Sequence, residues 1–182
     1  DKELLTDVEQ VLQFIDEFVH KKEDTIKKIN AVLNEETGLT DNAGNELFYQ
    51  DFVGIKTIFG KNITAEMVYE DIMHCVFNTN AVPDEPRLHI VNLKQVDGEI
   101  ALKIGNDNEY FGVISVGDTA ALIKKCDDDK MVTDTEEFMS ESLFTSINNK
   151  DSDINVLIGS RKFSEGWNSW RVSTMGLINF AK

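Results

Sequence analysis

The chain has little from which to build a metal centre or a disulfide scaffold. Its 182 residues include two cysteines, Cys75 and Cys126, and three histidines, His20, His74 and His89, none at ligand spacing. Isolated cysteines of this kind read as buried, reduced thiols of a cytoplasmic protein. The scattered histidines read as core or surface residues, and no bound metal is the expectation. Long apolar runs are missing: no segment approaches the roughly 20 residues that span a bilayer, and residues 1–20 lack a signal-peptide pattern. The only prolines, Pro83 and Pro86, fall together in a linker. Positive charge is scarce. Eighteen Lys and Arg face 33 Asp and Glu, a net charge of −15, which opposes non-specific DNA binding by this chain alone.

What is present suits one ordinary α/β domain with a real core, at 41% hydrophobic residues. Thr6 and Glu9 have capping-box spacing. Val8, Val11, Leu12, Ile15, Phe18 and Val19 repeat at helical spacing behind them, predicting a helix over residues 7–20. A second helix is expected over 25–36, stopped by Gly38. Residues 41–45 carry turn chemistry, and the aromatic cluster over 47–53 reads as satellite core. Thr64 caps a helix to about Phe77, with Val68, Ile72, Cys75 and Val76 inward. Residues 87–104 read as a β-hairpin about Asp97-Gly98.

Residues 111–116 form a buried-strand pattern, followed by a helix over 120–126 that Asp118 is placed to cap. A helix amino terminus after a strand can hold a phosphate, but ordinary capping is favoured because a carboxylate repels one. Asp127, Asp128 and Asp129 read as a solvated loop. A helix is expected over 136–148.

Residues 154–180 organise the rest. An apolar run from Ile154 to Ile158 reads as a buried strand of a parallel sheet. A polar loop with both tryptophans, Trp167 and Trp170, follows, and residues 172–180 read as another strand. In open α/β sheets the loop at a strand's carboxyl end is where ligands bind. Residues 159–182 carry Arg161, Lys162, Arg171 and Lys182 against Glu165 alone, a local +3 that leaves −18 elsewhere.

The stretch GSRKFSEGWNSWRVSTMGL resembles the fifth conserved motif of superfamily 2 DEAD/DEAH helicase-like ATPases. It takes the form found in type III restriction enzyme ATPase (Res) subunits. The similarity extends more weakly over residues 111–118 and 142–148. It implies an incomplete RecA-like, P-loop NTPase-type parallel sheet with flanking helices, interrupted by a small α+β insertion containing the hairpin. Residues 1–36 would hold the first helices of a second RecA-like lobe, 37–110 the insertion, and 111–182 the rest of the lobe.

The resemblance also implies roles. Gly159, Ser160, Phe163, Glu165, Gly166, Trp167 and Asn168 would form a loop coupling ATP to DNA. Ser160, Arg161, Lys162 and Arg171 would be DNA-phosphate contacts, which position a strand without reading its sequence. Relatives often carry Asp where this chain has Asn168, so no strongly ionic role is implied there. Trp167 and Trp170 could stack on a base or partner lobe or bury apolar area beneath the loop. The chain lacks a phosphate loop and an Asp-Glu magnesium motif. No catalytic residue is therefore expected within it, and no ATP hydrolysis by it alone. The lobe's fourth-motif strand would lie before Asp1 and the arginine-rich sixth motif after Lys182.

ATP and Mg2+ would be the parent protein's cofactors. Its partners would be DNA, the first RecA-like lobe and a DNA methyltransferase (Mod) subunit, with endonuclease activity compatible with the resemblance. The competing reading is a helicase-like fold that serves as a protein-interaction module, with residues 37–110 carrying the contacts.

Overall fold

The computed structural model describes residues 2–49, 53–60, 62–80, 82–159, 169 and 171–176. Helix α1 (Lys2–His20) buries Val8, Leu12, Ile15 and Val19 along one stripe, as the helical spacing requires. It begins five residues earlier than the sequence suggests. Thr6 lies inside the helix instead of capping it, and Glu9 is turned inward to pair with Lys125. The capping-box pattern is thus overridden by a tertiary ion pair.

Helix α2 (Lys22–Leu33) ends before Gly38 is reached. Glu35 takes a left-handed conformation, φ 59°, and donates to the Val32 carbonyl at 3.2 Å, while Glu36 donates to Ala31 at 2.8 Å. This paired closure satisfies the last carbonyls without a glycine.

Residues 37–49 form a small excursion closed by an antiparallel bridge between Thr40 and Glu46. Asp41 accepts from the Ala43 and Asn45 amides at 2.8 and 2.9 Å, in the turn its chemistry predicts. Hydrogen bonds from Asn45 hold its carboxyl below the usual range. Leu47 and Tyr49 are 54% and 62% exposed, so the expected satellite core is not formed by them. Helix α3 (Val53–Phe59) follows, with Ile58 79% exposed.

Thr64 caps α4 (Ala65–Cys75), its hydroxyl accepting from the Met67 amide at 3.2 Å. The buried stripe is Ala65, Tyr69 and Met73, with Ile72 and Val76 partly buried beside the core. Cys75, expected to face inward, is exposed. The Tyr69 hydroxyl donates to the Val19 carbonyl at 3.1 Å and ties α4 to α1.

Among the described residues the sheet is five-stranded and mixed, in the order β4-β1-β2-β3-β5. Strands β1 (Leu88–Leu93), β2 (Glu99–Ile104) and β3 (Gly112–Ser115) form an antiparallel meander. Strand β4 (Val132–Glu136) adds to β1 in parallel, and β5 (Val156–Gly159) adds to β3 in parallel. The expected parallel sheet is therefore corrected to a mixed one. The hairpin, read as part of a separate insertion, forms the sheet's centre, because it carries buried apolar residues on both faces and must be covered twice. Its connection spans residues 94–98, longer than a two-residue turn. Gly98, at φ 76°, presses against the Val116 carbonyl, where a Cβ would stand 3.0 Å away.

One face of the sheet carries Leu88, Ile90, Ile100, Leu102, Ile104 and Ile114, buried against α1, α4 and α5 (Thr119–Asp128). The other carries Val91, Leu93, Ala101 and Val113 under residues of the 139–154 connection. That connection contains only the short helix α6 (Leu143–Ser146). The helix expected over 136–148 is mostly absent: its beginning is the end of β4, and Phe138 stands 89% exposed. Strand β5 is half-buried at an edge, not fully buried. Residues 172–176 are not strand, contrary to expectation, and the remainder of that expected strand lies outside the described residues.

Candidate functional site

The parallel strands deliver their carboxyl ends to one edge of the sheet. Ser115, ending β3, is in register with Gly159, ending β5, and with Glu99, beginning β2. Glu99, Ser115 and Gly159 therefore lie side by side, and β5 ends at that row. On the far side the row continues through Leu93 and Glu136.

The turn from β3 into α5 crosses this edge. Asp118 accepts from the Ala121 amide at 2.9 Å, the ordinary capping role. Its carboxylate occupies the place that a phosphate would need, and repels one.

Glu99 is the least expected member of the row. Its residue is only 3% exposed, yet it carries a carboxylate. Ser142 Oγ donates to Glu99 Oε1 at 2.5 Å, and the Phe144 amide lies 3.4 Å from Oε2. Ser142 also caps α6, accepting from the Thr145 amide at 3.0 Å. A buried carboxylate needs such donors, since desolvation without them costs several kcal/mol. Nothing in the local sequence sets Glu99 apart, because its donors lie more than forty residues away.

At the other end of α6 stands Arg171. Its Nη1 donates to the carbonyls of Ile147 at 2.9 Å, Asn149 at 3.3 Å and Ser152 at 2.9 Å. The Arg171 amide donates to Ser169 Oγ at 3.2 Å. Of the residues the resemblance singles out, Gly159 and Arg171 are thus placed on the same body. Ser160, Arg161, Lys162, Phe163, Glu165, Gly166, Trp167, Asn168 and Trp170 lie outside the described residues.

A second polar group occupies the same face, nearer the opposite end of β1. His89 Nδ1 lies 2.6 Å from Asp134 Oδ2, joining β1 to β4 through side chains as well as backbone. Lys103 is cross-strand from His89 and donates to the Asn106 carbonyl at 2.8 Å. Its ammonium sits 5.9 Å from the centroid of Tyr110. Burial first, then Glu136, Asp134 and Glu109, push the Tyr110 hydroxyl above its ordinary pKa.

Among the described residues, no group of three or more His, Cys, Asp or Glu side chains could hold a metal ion. Asp127, Asp128 and Asp129 are exposed, and Asp127 accepts from the Thr133 hydroxyl. Cys126 is buried, and burial pushes its thiol up to about 11. No helix among the described residues is long and apolar enough to cross a membrane. No family model, curated protein or solved structure matches the chain.

Proposed function

We propose that this chain is part of the motor of a DNA-dependent ATPase, a helicase or translocase of a restriction-modification system of the type III kind. In this reading it is the second RecA-like lobe, and the loop that begins at Gly159 couples nucleotide to DNA. The observation that carries the reading is the register of Ser115 with Gly159 at the carboxyl edge of two parallel strands. That edge is where open α/β sheets bind ligands, and it is where the helicase-like motif leaves the sheet. Four of the five strands run in one direction, with β2 alone opposed, which supports a lobe of this wiring carrying a built-in hairpin.

ATP and Mg2+ would be held by a first lobe supplying the phosphate loop, and Glu165 and Asn168 would face the nucleotide side. Arg161 and Lys162 would meet DNA phosphates, while Gly159 and Gly166 would let backbone approach them. The test is DNA-stimulated ATP hydrolysis by the protein that carries this chain with its ATP-binding lobe. Glu165→Gln should lower the stimulation about tenfold or more, each tenfold being about 1.4 kcal/mol of barrier, while ATP binding persists. An unaltered protein whose ATP turnover ignores DNA would sink the reading.

A second reading, a protein-interaction module, is favoured by one observation. Leu39, Leu47, Tyr49 and Ile58 are all large, apolar and exposed within residues 39–58. Under it, Leu47→Asp with Tyr49→Asp would abolish partner capture and leave DNA-stimulated turnover intact.

A further inference from the structure

We propose that Arg171 is a positioning residue that pins the end of the motif stretch to the body of the sheet, and that its charge is not spent on a DNA phosphate. The inference rests on the functional reading above for its consequence, but the clamp itself is a matter of geometry.

Arg171 Nη1 carries two hydrogens. Three carbonyl oxygens already surround it at 2.9, 3.3 and 2.9 Å, from Ile147, Asn149 and Ser152. Those carbonyls belong to the end of α6 and the turn leading into β5, where the backbone runs out of helical partners. The turn is itself closed by the Asn149 amide on Ser146 at 2.8 Å and the Ser152 amide on Asn149 at 3.2 Å. It is rooted in the sheet through Phe144 and Ile154, buried with Val113. At the opposite end of α6, Glu99 receives Ser142 and Phe144. A four-residue helix cannot hold itself in water. Here a carboxylate stands at its amino end and a guanidinium at its carboxyl end, the arrangement its backbone charges favour.

The consequence is that Gly159 and Arg171 are both fixed relative to the same strands. Gly159 is held by β5 pairing with β3, and Arg171 by the turn that precedes β5. The twelve-residue step between them therefore starts and ends on the same sheet and its flanking turn.

Two readouts test this. The first is amide hydrogen exchange at Asn149 and Ser152 in the unaltered protein, Arg171→Lys and Arg171→Gln. Lysine offers one compact charge without the planar fork. Both variants should therefore exchange about tenfold faster at these amides, with Val91 and Ala101 unchanged, as expected for a local opening. Unchanged exchange in both variants would overturn the clamp. The second readout is the salt dependence of duplex DNA binding, whose logarithmic slope carries about 0.9 for each phosphate that the protein neutralises. Arg171→Gln should leave the slope as it is, and Arg161→Gln should reduce it by about 0.9. A slope reduced by Arg171→Gln and restored by Arg171→Lys would assign the residue to phosphate and overturn the proposal. The binding measurement uses the protein that carries this chain with its ATP-binding lobe; if no form of that protein binds DNA, the functional reading fails, and the exchange measurement still decides the clamp.

Discussion

The two faces of the sheet are built from alternate residues of the same strands, yet they are held in different ways. On the first, Leu88, Ile90, Ile100, Leu102, Ile104 and Ile114 meet three helices and are fully buried. Burial of this kind is non-directional and scales with apolar area. On the second, Val91, Leu93 and Ala101 share the surface with His89, Glu99 and Ser115, and a four-residue helix with its flanking turns is much of the cover. There the cover is fixed by directed bonds, Glu99 to Ser142 and Arg171 to three carbonyls, while His89 ties β1 to β4 through Asp134. The first face supplies stability, and the second supplies placement. The carboxyl-edge row belongs to the second.

The sharpest way to break this contrast is a substitution that removes only apolar volume. Ile90→Ala should cost about 2–5 kcal/mol, the usual range for a buried large-to-small change, seen as a lower denaturation midpoint with the same slope. A destabilisation below about 1 kcal/mol, well under that range, would mean that the first face is not the stabilising one.

Cys126, on α5 above that face, gives the next effect and a sign. Its folded pKa is raised from 9.0 to about 11, so the folded state holds the proton longer than the unfolded state. The stabilisation is fully present below about pH 9 and declines as pH rises through about 11, by about 2–3 kcal/mol in total. Cys126→Ser lacks this titration, and its stability curve should run flatter over that window in denaturant titrations. Parallel curves would show that the thiol is not desolvated.

On the second face, Glu99→Ala should cost about 1–3 kcal/mol, since Ser142 and the Phe144 amide are deprived of their acceptor. The distinguishing feature is locality. Exchange should quicken at residues 143–146 well before β1 or β2 responds, and uniform quickening would argue against a face held by point contacts. The smallest effect belongs to neither face. Glu17 and Lys21 pair at 2.7 Å on exposed α1 surface, which lowers the pKa of the first and raises that of the second. Glu17→Gln should leave the midpoint unchanged, because such pairs are solvated and screened.

The same contrast governs what can be read from the sequence. Where one periodicity decides the structure, the residues announce it. The α1 stripe, Thr64 capping α4, the hairpin, the buried β3 run and the Asp118 cap are all local patterns. Strand β4 is not. Val132-Thr133-Asp134-Thr135-Glu136 carries two acids and one aliphatic residue, and it is a strand because β1 offers a parallel partner and His89 takes Asp134. A helix is the natural expectation just beyond it, since residues 138–147 hold Phe138, Leu143, Phe144 and Ile147 near helical spacing. The packing uses Phe144 and Ile147, leaves Phe138 in solvent and shortens the helix to one turn. At the candidate site, Gly159 is legible as the end of a strand. Its cross-strand neighbour Ser115, and the Glu99–Ser142 contact one strand further on, come from distant positions that no local pattern joins.

The strand order also sets a sequence of events. The β1–β2–β3 meander is contiguous, within residues 88–115, so its ladders close short loops at little cost in chain entropy. Both edge strands arrive by longer crossovers, β4 after α5 and β5 after α6. Topologies of this kind favour the local pairings first. Substitutions such as Ile100→Val should therefore slow refolding, whereas Leu157→Ala in β5 should mainly hasten unfolding. The row of Glu99, Ser115 and Gly159 is then completed only when β5 docks. The edge that ends at Gly159 is then expected to assemble last and open first, so that a protein opening from its native state would shed that edge while its centre is still intact.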